Sequence, residues 1–268
     1  MSKIHILLTF DYEIFGNGTG DVKGCLVNPT ENILQLLRRY NAGATFFVDV
    51  CLIWALRDRH NSAALQKLNY HPLTLMEDQL SAILSEGHDV QLHAHPQLIN
   101  AGYNGCGFDV NYDHWRIIDL PYDGDNGGPS IKNIIFEGKA TLTELCRRSR
   151  PGYRVLAFRA GGLCSRPEKM LLKALRENEI PFDFSGSYNF KSDSWPGIVD
   201  YTDVFTEPEP IPAGENYNDR RQCSDLILFP IYGALYHNFL SEPGTRLLEK
   251  IKKDDSRWKW KKKRPEGA

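Results

Sequence analysis

The chain has 268 residues, 41% of them hydrophobic, enough to bury a full core as one large α/β domain or two small ones. A formal net charge of −2 argues against a nucleic-acid binder, and no apolar stretch approaches the length of a membrane span. Six scattered cysteines with no Cys-x-x-Cys fit thiols in a reducing compartment better than a disulfide framework or a zinc ribbon. The apolar run ahead of Asp11 is too short for a signal peptide, so the expected location is cytoplasmic.

In chain order, Ile4 to Phe10 reads as an apolar strand that runs directly into Asp11-Tyr12-Glu13. A glycine-rich loop follows from Gly16 to Gly20, without the spacing of a nucleotide-binding loop. Asn28 or Thr30 can cap a helix from Pro29 to about Tyr40, with Ile33, Leu36, Leu37 and Tyr40 on its apolar side. Ala44 to Val50 is a second strand. Thr74 with Glu77 suggests a capping box for a helix carrying Met76, Leu80, Ile83 and Leu84, which Gly87 ends. His88 to His95 forms a third strand. Apolar strands alternating with helices predict a parallel sheet covered by helices.

Residues 99–132 break this pattern with Gly, Asn, Asp and aromatic residues, where α/β folds place substrate loops. Tyr103, Phe108, Tyr112 and Trp115 in this insertion can stack on sugar faces or pack the loop against the core. A helix resumes over Ile134 to Arg148, and a strand Arg154 to Phe158 delivers Arg159-Ala160-Gly161-Gly162. Ser165 can cap the next helix, with Pro167 near its start. Short strands are expected at Ile180 to Phe184 and Leu226 to Ile231, with loops over 186–225. From Arg246 to Arg264 there are ten Lys or Arg against three acids, so residues 246–268 read as a basic tail after a domain spanning 1–245. A tail of this kind is expected to pack poorly on the core.

Three places can do chemistry. In His93-Ala94-His95 both imidazoles leave an extended segment on the same face. Two imidazoles and a carboxylate suit Zn²⁺ or its first-row neighbours. Asp11 and Glu13 likewise share a face, so one carboxylate can ligate the metal while the other acts as base. Arg159, past a buried strand and ahead of two glycines, is placed to hold a catalytic carboxylate. Asp11, His93 and Arg159 sit at three strand ends, which converge on one face in parallel α/β folds.

Thr9-Phe10-Asp11-Tyr12-Glu13, the run from Gly87 to Pro96, and Phe158-Arg159-Ala160-Gly161-Gly162 resemble successive motifs of the polysaccharide deacetylase superfamily over about residues 4–185. The nearest branch is the intracellular one associated with bacterial surface-polysaccharide synthesis. The resemblance implies a distorted (β/α) barrel, either closed or incomplete at its carboxyl end. It also implies metal-dependent removal of an N- or O-acetyl group from a sugar or glycan precursor. Carried across, Asp11 is the general base, Glu13 the metal carboxylate, His93 the first metal histidine, and Arg159 the residue that steadies Asp11. The metal expected is a divalent ion, Zn²⁺ first. The sequence departs from the family pattern in three places. Tyr12 stands where the family's second acid would be. Gln97 stands at the usual second metal histidine, so either His95 turns in to replace it or the site is weakened. His237 is the available late histidine for the general acid, in a context that does not match. The competing reading is a catalytically silent barrel that binds saccharide or protein.

Overall fold

A computed structural model of the chain describes residues 6–124, 128–204, 209–220 and 225–231. The tail at 246–268, the boundary near 245 and His237 lie outside the described residues.

The first half alternates as the hydrophobic pattern requires. Strand β1 (Thr9–Tyr12) is followed by a π-helical turn over Val22–Val27, helix α1 (Asn28–Tyr40), β2 (Thr45–Asp49), α2 (Val50–Arg57), α3 (Arg59–Leu65), α4 (Pro72–Ser85) and β3 (Asp89–Ala94). The insertion holds a small hairpin of β4 (Gly102–Tyr103) and β5 (Phe108–Asp109). Then come α5 (Ile131–Arg147), β6 (Ala157–Ala160), α6 (Lys169–Glu177) and β7 (Phe182–Asp183). The stretch expected to be loops contains the hairpin β8 (Lys191–Ser192) with β9 (Val199–Asp200), and β10 (Ile211–Pro212). Strand β11 (Ile227–Leu228) follows.

Seven strands form one sheet in the order β1-β2-β3-β6-β7-β11-β10, parallel except for the β10–β11 pair. The α/β expectation therefore holds, with a mostly parallel sheet. Among the described residues the sheet is open, with β1 and β10 at its edges. It is nevertheless strongly curled. Neighbouring strands lie about 4.8 Å apart, so β1 and β6, three steps apart, would be roughly 14 Å apart in a flat sheet. Side chains stand roughly perpendicular to a sheet, yet Arg159 on β6 reaches both Asp11 and Thr9 on β1. Only a curved wall allows that.

The convex face is the apolar core. Phe46, Val48, Val90, Leu92 and Phe158 are buried on it with Met76, Leu80 and Ile83 of α4 and Ile134, Ile135 and Leu142 of α5. Strand parity places Tyr12 on this side as well: it is fully buried and donates to Gln79 Oε1 on α4 at 2.9 Å. No helix among the described residues is long and apolar enough to cross a membrane.

Several local expectations fail for identifiable reasons. Ile6, Leu7 and Leu8 precede β1 and are exposed at 79, 62 and 39%; an edge strand has one neighbour only, and β2 pairs with β1 from Thr9 onward. Helix α1 has no side-chain cap from Asn28 or Thr30, because the π-helical turn runs straight into it and Asp21 caps that turn. Its buried face is Thr30, Leu34 and Leu37, with Leu36 and Tyr40 exposed. Helix α4 begins at Pro72, which puts Thr74 inside it and leaves no capping box. Ser165 lies ahead of α6 and caps nothing; its hydroxyl instead bridges Tyr201 and Tyr217, each at 2.6 Å, in a buried polar cluster. Helix α5 starts earlier than expected because Ser130 caps it at Asn133.

Candidate metal centre

The concave face carries the polar groups. Cross-strand register aligns Asp11 with Phe47, Phe47 with Gln91, Asp49 with His93, and His93 with Arg159. Because side chains alternate, Glu13 follows Asp11 onto this face and His95 follows His93. Tyr12, standing where the resemblance would place an acid, leaves on the opposite side. Position 12 faces the helices, and the second carboxylate reaches the inner rim from position 13.

Glu13, His93 and His95 each bring one donor atom into a cluster whose members all lie within 4.8 Å of one another. His93 Nε2 is 2.8 Å from Glu13 Oε2, and His95 Nε2 touches the same oxygen. Both imidazoles are buried, while Glu13 is 27% exposed, so the cluster opens toward solvent on the carboxylate side. Burial opposes the charge on Glu13, but His95 and His93 outweigh it by charge and hydrogen bonding and hold its carboxyl well below the usual range. For His93, burial likewise acts against protonation, and the charges of Asp11 and Glu13 with the Glu13 hydrogen bond raise it to about 9. Two imidazoles and one carboxylate are a donor set that zinc accepts with a position left for water. The chemistry of the residues fits a divalent cation.

Arg159 is 3% exposed and sits over the Phe47 ring, with its guanidinium carbon 4.2 Å from the ring centroid. It donates to Asp11 Oδ1 at 2.5 Å, Thr9 Oγ1 at 2.7 Å and the Phe184 carbonyl at 3.3 Å. The guanidinium thus ties β6 to the Asp11 and Thr9 side chains of β1. The two glycines after it serve different needs. A Cβ on Gly161 would stand 2.7 Å from the Ala94 carbonyl and 2.8 Å from His95 Nδ1, so only glycine lets β6 pass this close to the ring. Gly162 has a φ of 59°, in the left-handed region.

One residue at this site escapes sequence reasoning. Asp49, at the end of β2, is fully buried and accepts from Cys51 N–H at 3.0 Å and from His95 N–H at 3.1 Å. It caps α2 and anchors the His95 backbone with the same oxygen, while Oδ2 is buried without a hydrogen-bond partner. Burial raises its pKa, and the nearby His95 and His93 oppose that rise. Its parity with His93 along β2 and β3 is the signal that would have found it.

The insertion aromatics divide. Phe108 is buried and Tyr103 packs edge-on against it, so these two hold the loop. Trp115 lies at the rim, its ring 3.3 Å from where a Gly16 Cβ would be, and stacks on Tyr112 at 5.6 Å. Tyr112 stacks in turn on Trp195 at 5.6 Å, and both are exposed, at 42 and 70%.

Residues 1–121 match the family model for polysaccharide deacetylase. The match covers a little under half of the chain, so over this segment the chain is similar to that family. The match contains Asp11, Glu13, His93 and His95; Arg159 lies beyond it. Among solved structures, the chain is similar to one assigned to a polysaccharide deacetylase from Mycobacterium smegmatis, at 13% identity and a TM-score of 0.42. That similarity covers 88% of this chain, which spans 64% of the other's length. No curated protein matches the chain.

Proposed function

We propose that the protein is a metal-dependent hydrolase that removes an acetyl group from an N- or O-acetylated sugar or glycan precursor. The observation that carries the reading is that Glu13, His93 and His95 converge beside an Asp11 that Arg159 holds in place. A bound divalent cation, Zn²⁺ first, supplies Lewis-acid chemistry, acidifying water and polarising the acetyl carbonyl.

The chain's own residues do the rest. Glu13, His93 and His95 would hold the cation. His93 is oriented from behind, since its Nδ1 meets the Arg159 carbonyl at 2.8 Å and can only donate there. Asp11 takes the proton from the attacking water, its carboxylate kept in one orientation by Arg159. Tyr112 and Trp195 present ring surface at the approach to the site, where a pyranose face can lie. The proton for the leaving group is assigned to His237 on the family resemblance alone.

Elemental analysis of purified protein, beside acetate release from a set of N-acetylated sugars, tests the reading. About one zinc per chain is expected, lost in Glu13→Gln and retained in Asp11→Asn. The latter should lower turnover by about 10²-fold or more, the scale of general-base contributions. Saccharide binding without metal or acetate release would establish a silent barrel instead.

A further inference from the structure

The two imidazoles of the cluster are prepared differently for a cation. A neutral imidazole that gives Nε2 to a metal must carry its proton on Nδ1. His93 meets that condition, because the Arg159 carbonyl opposite its Nδ1 can only accept. His95 does not. Its Nδ1 faces Gln97 Nε2 at 2.7 Å, and an amide nitrogen only donates. The second hydrogen of the same amide goes to the Gly16 carbonyl at 3.1 Å, while Gln97 Oε1 is buried without a hydrogen-bond partner. In this arrangement a neutral His95 carries its proton on Nε2, the atom that touches Glu13.

The ring itself has little room to resolve the conflict. A Cβ on Gly161 would be 2.8 Å from its Nδ1, and a Cβ on Gly16 would be 3.8 Å from its Cε1. Its backbone N–H is tied to Asp49. The Gln97 amide is the adjustable part. It touches His95 at Nδ1 and not at Nε2, the nitrogen that faces Glu13.

We propose that Gln97 is a positioning residue that selects the tautomer of His95, and that its amide turns over when a cation binds. This rests on the metal reading above. With the amide turned, Oε1 accepts from Nδ1–H and the Nε2 lone pair is free for the metal. The Gly16 carbonyl then loses its donor. Metal occupancy and the start of the Gly16 to Gly20 loop are thereby coupled through one side chain. Gln97 stands where the family pattern has a second metal histidine and supports the replacement ligand from behind.

The test uses the full-length protein, metal-free and zinc-loaded, with ¹⁵N-labelled histidine. Long-range ¹H–¹⁵N spectra should show His95 protonated at Nε2 without zinc and at Nδ1 with it. Zinc affinity, measured by competition with a chelating dye, should rise about tenfold in Gln97→Glu, which offers an acceptor in either orientation. It should fall by about 10- to 100-fold in Gln97→Leu, the scale of losing an outer partner of a metal histidine. An Nδ1–H tautomer in the metal-free protein, or affinities of both variants within twofold of wild type, would overturn the proposal. If the wild-type protein binds no zinc, the metal reading fails, and the metal-free spectrum still decides whether Gln97 donates to His95.

Discussion

Replacing Arg159 with methionine tests whether one buried cation holds the curled wall together. Methionine fills similar length but removes every donor to Asp11, Thr9 and the Phe184 carbonyl. Breaking a buried ion pair by deleting one partner costs about 3–5 kcal/mol. The Asp11 side chain is 35% exposed, so water can take over part of its solvation, which places the loss near the lower end, about 3 kcal/mol. The lost contact with the face of Phe47 lies within that figure, since methionine packs there too. At about 2–4 °C per kcal/mol for a chain of this size, the melting midpoint should fall by roughly 6–12 °C. Urea unfolding of the wild type, Arg159→Met, Asp11→Asn and the double variant gives the coupling directly. The double variant should lose less than the sum of the single losses, by about 1–2 kcal/mol. A loss under about 1 kcal/mol for Arg159→Met, or strict additivity, would show that the bridge across four strands is not what supports the curvature.

Three further outcomes follow from packing and charge. Gly138→Ala in α5 should destabilise the fold by about 1–2 kcal/mol by thermal or urea melting despite alanine's higher helix propensity, because the new Cβ would stand 2.8 Å from Leu92 Cδ1 and 3.0 Å from Val50 Cγ2; a stabilised variant would contradict that packing. His88 is buried with neither ring nitrogen hydrogen-bonded, its Nε2 lying 4.0 Å from Glu86 Oε2, and burial lowers its pKa from 6.5, with Glu86 opposing. The unfolded chain therefore takes up this proton first, so the stability His88 confers is present above pH 6.5 and lost as pH falls toward its folded value. The melting midpoint should drop less between pH 7.5 and 5.5 in His88→Phe than in the wild type, and equal drops would remove His88 from the acid response. Trp195→Ala should leave the melting midpoint within a few degrees of the wild type and raise KM for acetylated oligosaccharides with little change in kcat; an unchanged KM would separate the exposed rings from substrate.

Much of the site was legible because it depends on a period of two. Asp11 with Glu13, and His93 with His95, had to share faces once their segments were extended, and Tyr12 had to point away. The hydrophobic runs at β2 and β3 and the helices between them made a parallel sheet the economical reading. Helix starts were less legible. Proline at Pro72 and a preceding turn at α1 took the place of the side-chain caps suggested by Thr74, Asn28 and Thr30. A capping residue is recognisable in sequence only if the helix begins there, and the neighbouring turn decides that.

What the sequence determined by itself, then, is the set of side chains available on the inner rim, since alternation along a strand is enforced locally by backbone geometry. Only the tertiary structure decided how those side chains are matched. Arg159 pairs with Asp11 because the sheet curls, and curvature is a property of four strands together. Asp49 joined the site through its register with His93, and Gln97 became a partner of His95 because Gly16 and Gly161 confine the ring. Trp195 reached Tyr112 from 83 residues away in the chain. Such contacts depend on how separate segments pack, and no local periodicity encodes that.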